Sequence, residues 1–156
     1  MPRYTQLPTV GLYLEQTVKY INLCLEPLGT IEITGSMIRN YVKMGLISKP
    51  VQKQYYAEHI AHLMAVTILK QVLELDNIKL IFSRQKALYP DEIAYDYFCD
   101  ELENVLYFRA GLKSALDQVG SSHSLEKEIL RSAIIAVAHV FILNICLEQL
   151  DKPEEE

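Results

Sequence analysis

Glycine is scarce in this chain, six residues in 156, and none of them builds a phosphate-cradling loop. There is no Walker-type loop, no Gly-x-Ser-x-Gly elbow, no zinc-protease His-Glu-x-x-His and no glycine-rich dinucleotide turn. The local geometries behind nucleotide hydrolysis, serine-type acyl transfer and hydride transfer are therefore missing, and an enzyme is not expected. Cysteine is equally sparse. Cys24, Cys99 and Cys146 lie far apart, odd in number and without a Cys-x-x-Cys pair, which excludes a disulfide framework and a thiolate metal cluster and predicts reduced, mostly buried thiols. No cofactor is expected. The longest apolar run, residues 132–147, is interrupted by His139 and Asn144 and falls short of the ~20 residues a bilayer requires. It predicts a buried helix, with no membrane partner. Residues 1–5 carry neither an apolar core nor a cleavage site, so the expected location is the cytoplasm.

What is present is a folding composition, 50% hydrophobic and 22% charged, in a chain long enough for a proper core. The net charge of −5 is unevenly placed. Residues 1–90 hold ten Lys and Arg against six Asp and Glu, whereas residues 91–156 hold five against fourteen. A basic front and an acidic back are expected where one region meets phosphates and the other does not.

Apolar spacing predicts a mainly all-α fold. Leu12, Leu14, Val18, Ile21 and Leu25 mark a helix over 9–25, stopped by Pro27 and Gly29. Another helix is expected over 35–44, then a small hairpin within 46–55, then a strongly periodic helix from Ala57 through Ile60, Leu63, Met64, Ile68 and Leu69. Asp76 reads as the N-cap of a further short helix. Pro90-Asp91-Glu92 opens a long helix running to Gly120, and Ser124 starts a last one that ends near Leu150. These elements divide into a module at 9–88, a helical hairpin at 91–150 and a frayed acidic tail at 151–156. The last helix is apolar on nearly every face, which predicts that part of it, or of its partner helix, is buried in a homodimer, the alternative being that it packs into the front module of the same chain.

The densest signal is Thr34-Gly35-Ser36-Met37-Ile38-Arg39-Asn40-Tyr41-Val42-Lys43-Met44-Gly45-Leu46. Thr34 suits an N-cap, Ile38, Tyr41 and Val42 form a buried stripe, Arg39, Asn40 and Lys43 fall away from it, and Gly45 suits a left-handed helix end. These residues resemble the winged helix-turn-helix of MerR-type transcription regulators, whose recognition helix reads Thr-Leu-Arg-Tyr-Tyr-Glu, two residues, then Gly-Leu. The family's wing ends in Tyr-Arg-x-Tyr, and Lys53-Gln54-Tyr55 holds the corresponding place. The likeness spans residues 30–85 and extends to a group of small bacterial proteins with such a domain, for which it implies no established activity. Asn40 and Lys53 stand where the family carries Tyr and Arg, and the connector 27–32 is longer than a tight turn.

The resemblance implies a winged module with a minimal β-wing, double-stranded DNA as partner, and dimerisation through C-terminal helices. The expected DNA-binding residues are Ser36, Arg39, Asn40, Lys43, Lys49, Lys53 and Tyr55. Arg39 can donate two hydrogen bonds to guanine and Asn40 can pair with adenine, while the lysines suit phosphates. The alternative is a helical protein-interaction domain without DNA binding. His59 and His62, beside Glu58, invite a metal reading, but no second ligand cluster accompanies them and surface or capping roles are expected. His139 is expected in the core. The acids Asp91, Glu92, Asp100, Glu101 and Glu103 are expected on exposed faces and helix starts. Tyr89, Tyr95, Tyr97, Phe98, Tyr107 and Phe108 fill a core or interface, or line an effector pocket for an unidentified ligand.

Overall fold

The structure, a computed structural model, describes residues 1–29, 31–120 and 123–152. It is all-helical: α1 (Leu14–Leu25), α2 (Gly35–Lys43), α3 (Ala57–Leu69), α4 (Leu75–Leu88), α5 (Asp91–Arg109) and α6 (Leu125–Leu150), with short 3-10 turns at Tyr4–Gln6 and Glu26–Leu28. Among the described residues there is no β-strand, only two isolated antiparallel bridges, Leu12 with Tyr55 and Val51 with Gln54.

Helix α3 is the centre. Ten of its thirteen residues are buried, so it is surrounded by other helices rather than lying on the surface. One continuous core extends from Leu7 through Ile38, Leu63 and Phe98 to Ile134 and Phe141. The N-terminal residues lie along α5, where the Tyr4 amide donates to Asp96 Oδ1 at 2.8 Å and the Tyr95 hydroxyl donates to the Pro2 carbonyl at 2.9 Å. The Arg3 guanidinium pairs with Asp100 and Glu103, each at 2.7 Å. That contact holds the Glu103 carboxyl below its ordinary range.

Two asparagines replace regular structure as the means of fixing loops. Asn22 on α1 donates to the Ile33 carbonyl at 2.9 Å and accepts from its amide at 2.8 Å. Asn104 on α5 treats Asp117 in the same way, both bonds at 2.9 Å. Each side chain satisfies a donor and an acceptor that would otherwise need a strand or a helix.

Several boundaries differ from those the periodicity predicts. Helix α1 begins at Leu14 rather than near residue 9 because Leu12 exchanges backbone hydrogen bonds with Tyr55, at 2.9 and 2.7 Å. The expected hairpin at 46–55 is a tight turn closed by Val51 and Gln54. Glu74 is the N-cap of α4, which leaves Asp76 in the first turn. Helix α5 stops at Arg109 instead of Gly120, because the chain turns at Gly111 and the Leu112 amide returns to the Tyr107 carbonyl at 2.9 Å. Asn104 then holds the following loop down. In α6 the buried positions lie in its middle, at Ala133, Ile134, Val137, Ala138 and Phe141. Residues 143–150 are exposed, His139 and Cys146 face solvent, and Leu143, Ile145, Leu147 and Leu150 are left largely exposed by the other described residues. Over its full 26 residues α6 is long and apolar enough to cross a membrane by length and composition. Ser124 caps it, its Oγ accepting from the Lys127 amide at 3.2 Å. Ser121 and Ser122 of the expected linker, and residues 153–156 of the expected tail, lie outside the described residues.

Candidate nucleic-acid interface

Helix α2 is short and sharply two-sided. Thr34 Oγ1 accepts from the Met37 amide at 3.2 Å and so caps its start. Gly45, at φ 73°, ends it in the left-handed conformation, and the Leu46 amide reaches back to the Tyr41 carbonyl at 2.9 Å. Ile38 and Tyr41 point into the core, whereas Ser36, Arg39, Asn40 and Lys43 are all exposed. The spacing of these four, one turn apart and then another, puts them on one face. Lys79 of α4 donates to the Met44 carbonyl at 2.8 Å, adding a cation at the C-terminal end where the helix dipole favours it.

The turn at 51–54 follows α2 in the chain, and Tyr55 after it feels the charge of Arg39. Gln52 and Lys53 have φ of 50° and 66°, and the Val51 and Gln54 backbones exchange two hydrogen bonds at 3.0 Å. Two successive left-handed residues define the turn type that normally takes Asn-Gly, and here a glutamine and a lysine occupy it. Lys53 is thereby held at an exposed tip, next to exposed Lys49. The turn is anchored from below. His59 of α3 accepts from the Tyr56 amide at Nδ1, 2.9 Å, and its Nε2 meets the Lys49 carbonyl at 3.0 Å, where the N–H of the same neutral tautomer donates. His59 is a capping residue, as its position predicts. Gly11 lets the chain approach the turn, since a Cβ there would stand 2.7 Å from Gln54 Oε1 and 2.8 Å from its Cβ.

Six of the seven expected residues, Ser36, Arg39, Asn40, Lys43, Lys49 and Lys53, are therefore exposed, four on α2, Lys49 ahead of the turn and Lys53 on it. Tyr55 departs from the expectation. It is 5% exposed, with its ring edge-on to His59 at 5.5 Å, so it supports the turn and does not face outward. Burial raises its phenol pKa, and the nearby Arg39 guanidinium opposes the shift. Sequence reasoning did not identify Asn22, Gly11 or Lys79. Their partners lie 11 to 45 residues away and follow no periodic pattern.

Two other features stand away from this face. Glu58 and His62 of α3 converge with Asp91 at the start of α5, and His62 Nε2 is 3.3 Å from Asp91 Oδ1. Burial lowers the His62 pKa, only partly countered by Asp91 and Glu58, so the imidazole is neutral at physiological pH. The His62 side chain is only 16% exposed, so it sits deeper than the expected surface position. The second feature is an open groove of about 570 Å³ between α4, α5 and α6, lined by Leu80, Leu88, Ile93, Tyr97 and Ile129, with Arg84 and Lys127 among its polar residues. Lys127 Nζ stands over the Tyr89 and Tyr97 rings at 5.6 and 5.4 Å. Glu101, expected on an exposed face, is instead 1% exposed between α5 and Arg131 of α6. The Cys99 thiol is pushed up to about 11 by burial and is unreactive, whereas Cys146 is exposed against the expectation of burial.

A family model for a domain of unknown function (DUF1836) matches residues 2–98, from the N-terminal segment on α5 into the first half of that helix. No curated protein and no solved structure matches the chain.

Proposed function

Since the chain belongs to that family, whose description names no activity, we propose from the geometry of its basic face that it is a dimeric DNA-binding regulator. In this reading its front module works as a MerR-like winged helix-turn-helix, with α2 as the major-groove helix and the 51–54 turn as a minimal wing. The observation that supports it is the exposed face of α2 carrying Ser36, Arg39, Asn40 and Lys43, followed in the chain by exposed Lys49 and by Lys53 on an anchored turn. Lys43, Lys49 and Lys53 attach to phosphates, and Ser36 at the helix start adds a hydroxyl donor. Arg39 reads guanine through its planar fork and Asn40 reads adenine.

The second copy covers α6. Its middle, from Ala133 to Phe141, packs into the core, which argues for a protein partner over a bilayer. The free end, residues 143–150, presents apolar side chains together with Glu148; the α4–α5–α6 groove is mainly apolar and carries Arg84, Glu126 and Lys127. Both surfaces are largely apolar, and each chain carries both. A second reading, a protein-interaction domain without DNA binding, is favoured by the same exposed helix end.

Selection on a randomised duplex library across a salt series separates the two. Enrichment of a palindromic site with steeply salt-dependent affinity is expected, and Arg39→Ala should cost about 1–3 kcal/mol and relax preference at one base position. No retention at low salt rejects the DNA reading and leaves the interaction domain.

A further inference from the structure

Glu58 and His62 are four residues apart on α3, so they project from one face one turn apart. Asp91 arrives from the other side, fixed as the first residue of α5 by Pro90. One donor atom from each lies within 4.8 Å of the others. The contact between His62 Nε2 and Asp91 Oδ1 is 3.3 Å, close to the ~3.4 Å edge of a tetrahedron whose ligands stand about 2.0–2.1 Å from a zinc ion. It is not a hydrogen bond: Asp91 Oδ1 is buried and has no hydrogen-bond partner among the described residues. A small cavity of about 20 Å³ adjoins His62, Asp91, Ala61 and Phe82, room for one water-sized group that can complete a coordination sphere. The Phe82 ring covers the imidazole at 5.0 Å and restrains its orientation. Charge favours a cation, with Glu58 and Asp91 facing the imidazole and Lys86 opposing them.

We infer that Glu58, His62 and Asp91 form a binding site for one divalent transition-metal ion of the zinc class, which ties the start of α5 to α3. One imidazole nitrogen with two carboxylate oxygens suits such an ion better than magnesium, which demands near-octahedral oxygen ligation and retains its waters. The site lies one residue from His59, the side chain that holds the Lys49 carbonyl. An ion there rigidifies the helix end on which the 51–54 turn rests. The inference does not depend on the DNA reading.

The test is titration of the untagged full-length chain, first stripped with a chelator, with Co²⁺ followed by visible absorption and with Zn²⁺ followed by calorimetry. One ion per chain and a raised melting temperature are expected. His62→Gln and Asp91→Asn should each weaken binding at least tenfold while the helical circular dichroism is kept, and Glu58→Gln provides a third probe should either variant fail to fold. No saturable uptake by the wild type, or uptake unchanged in the variants that fold, overturns the site. Neither result bears on DNA binding, which is measured separately.

Discussion

At the scale of single residues, the side chains that organise this protein are polar groups placed against distant backbone. Asn22, Asn104 and His59 each satisfy donors and acceptors of a segment that forms no strand. Glu101 is the costly one. Its side chain is buried, Arg131 Nε stands 3.3 Å from its Oε1 without a hydrogen bond, and burial raises its pKa although Arg131 opposes this. The folded state therefore holds the proton more tightly than the unfolded chain, so this group's contribution falls as pH rises from the ordinary carboxylate range through the raised folded value. Glu101→Gln is expected to raise the melting temperature at pH 7, with the gain vanishing below the ordinary carboxylate range. A variant that melts lower than wild type at pH 7 would mean the Arg131 pairing outweighs the desolvation.

Among the elements, α2 was almost fully legible. Thr34, the Ile38–Tyr41 stripe and Gly45 are local signals, and the cap, the buried face and the left-handed end all occur at those residues. The turn after it was legible only as a break in periodicity, because its geometry depends on Leu12 and His59 from elsewhere in the chain. Its two left-handed non-glycine residues are strained. Lys53→Gly should relieve about 0.5–1 kcal/mol net, after the larger conformational entropy of unfolded glycine is subtracted. If Lys53 holds a phosphate, the same variant should reduce the salt-dependence slope of DNA binding by about 1. Denaturant melts and salt titrations on one preparation test both; a stabilised variant with unchanged DNA affinity would remove Lys53 from the interface. The end of α5 misleads periodicity for a comparable reason, since Leu112 and Leu116 keep helical spacing but lie exposed in a loop that Asn104 restrains.

For the whole molecule, the open question is what covers α6. From residue 142 to residue 150 the helix runs about 13 Å, almost all of it exposed, and the groove between α4, α5 and α6 exposes Leu80, Leu88, Ile93 and Ile129. Burying both sets in a second copy removes two exposed apolar surfaces at once. Leu147 is 53% exposed, so Leu147→Glu should leave the monomer's fold intact while shifting a dimer to monomer in sedimentation velocity. A wild-type chain that sediments as a monomer at tens of micromolar would reject the dimer.

The sequence by itself determined the helical class, the order of the helices and the two-sided character of α2, because these follow from spacing and caps within a few residues. Only the tertiary structure decided the rest. It brought Asp91 to His62, buried Tyr55 and Glu101, anchored the 51–54 turn on α3 and left half of α6 uncovered. Each of those depends on where a second segment arrives in space, which the periodicity of one segment does not contain.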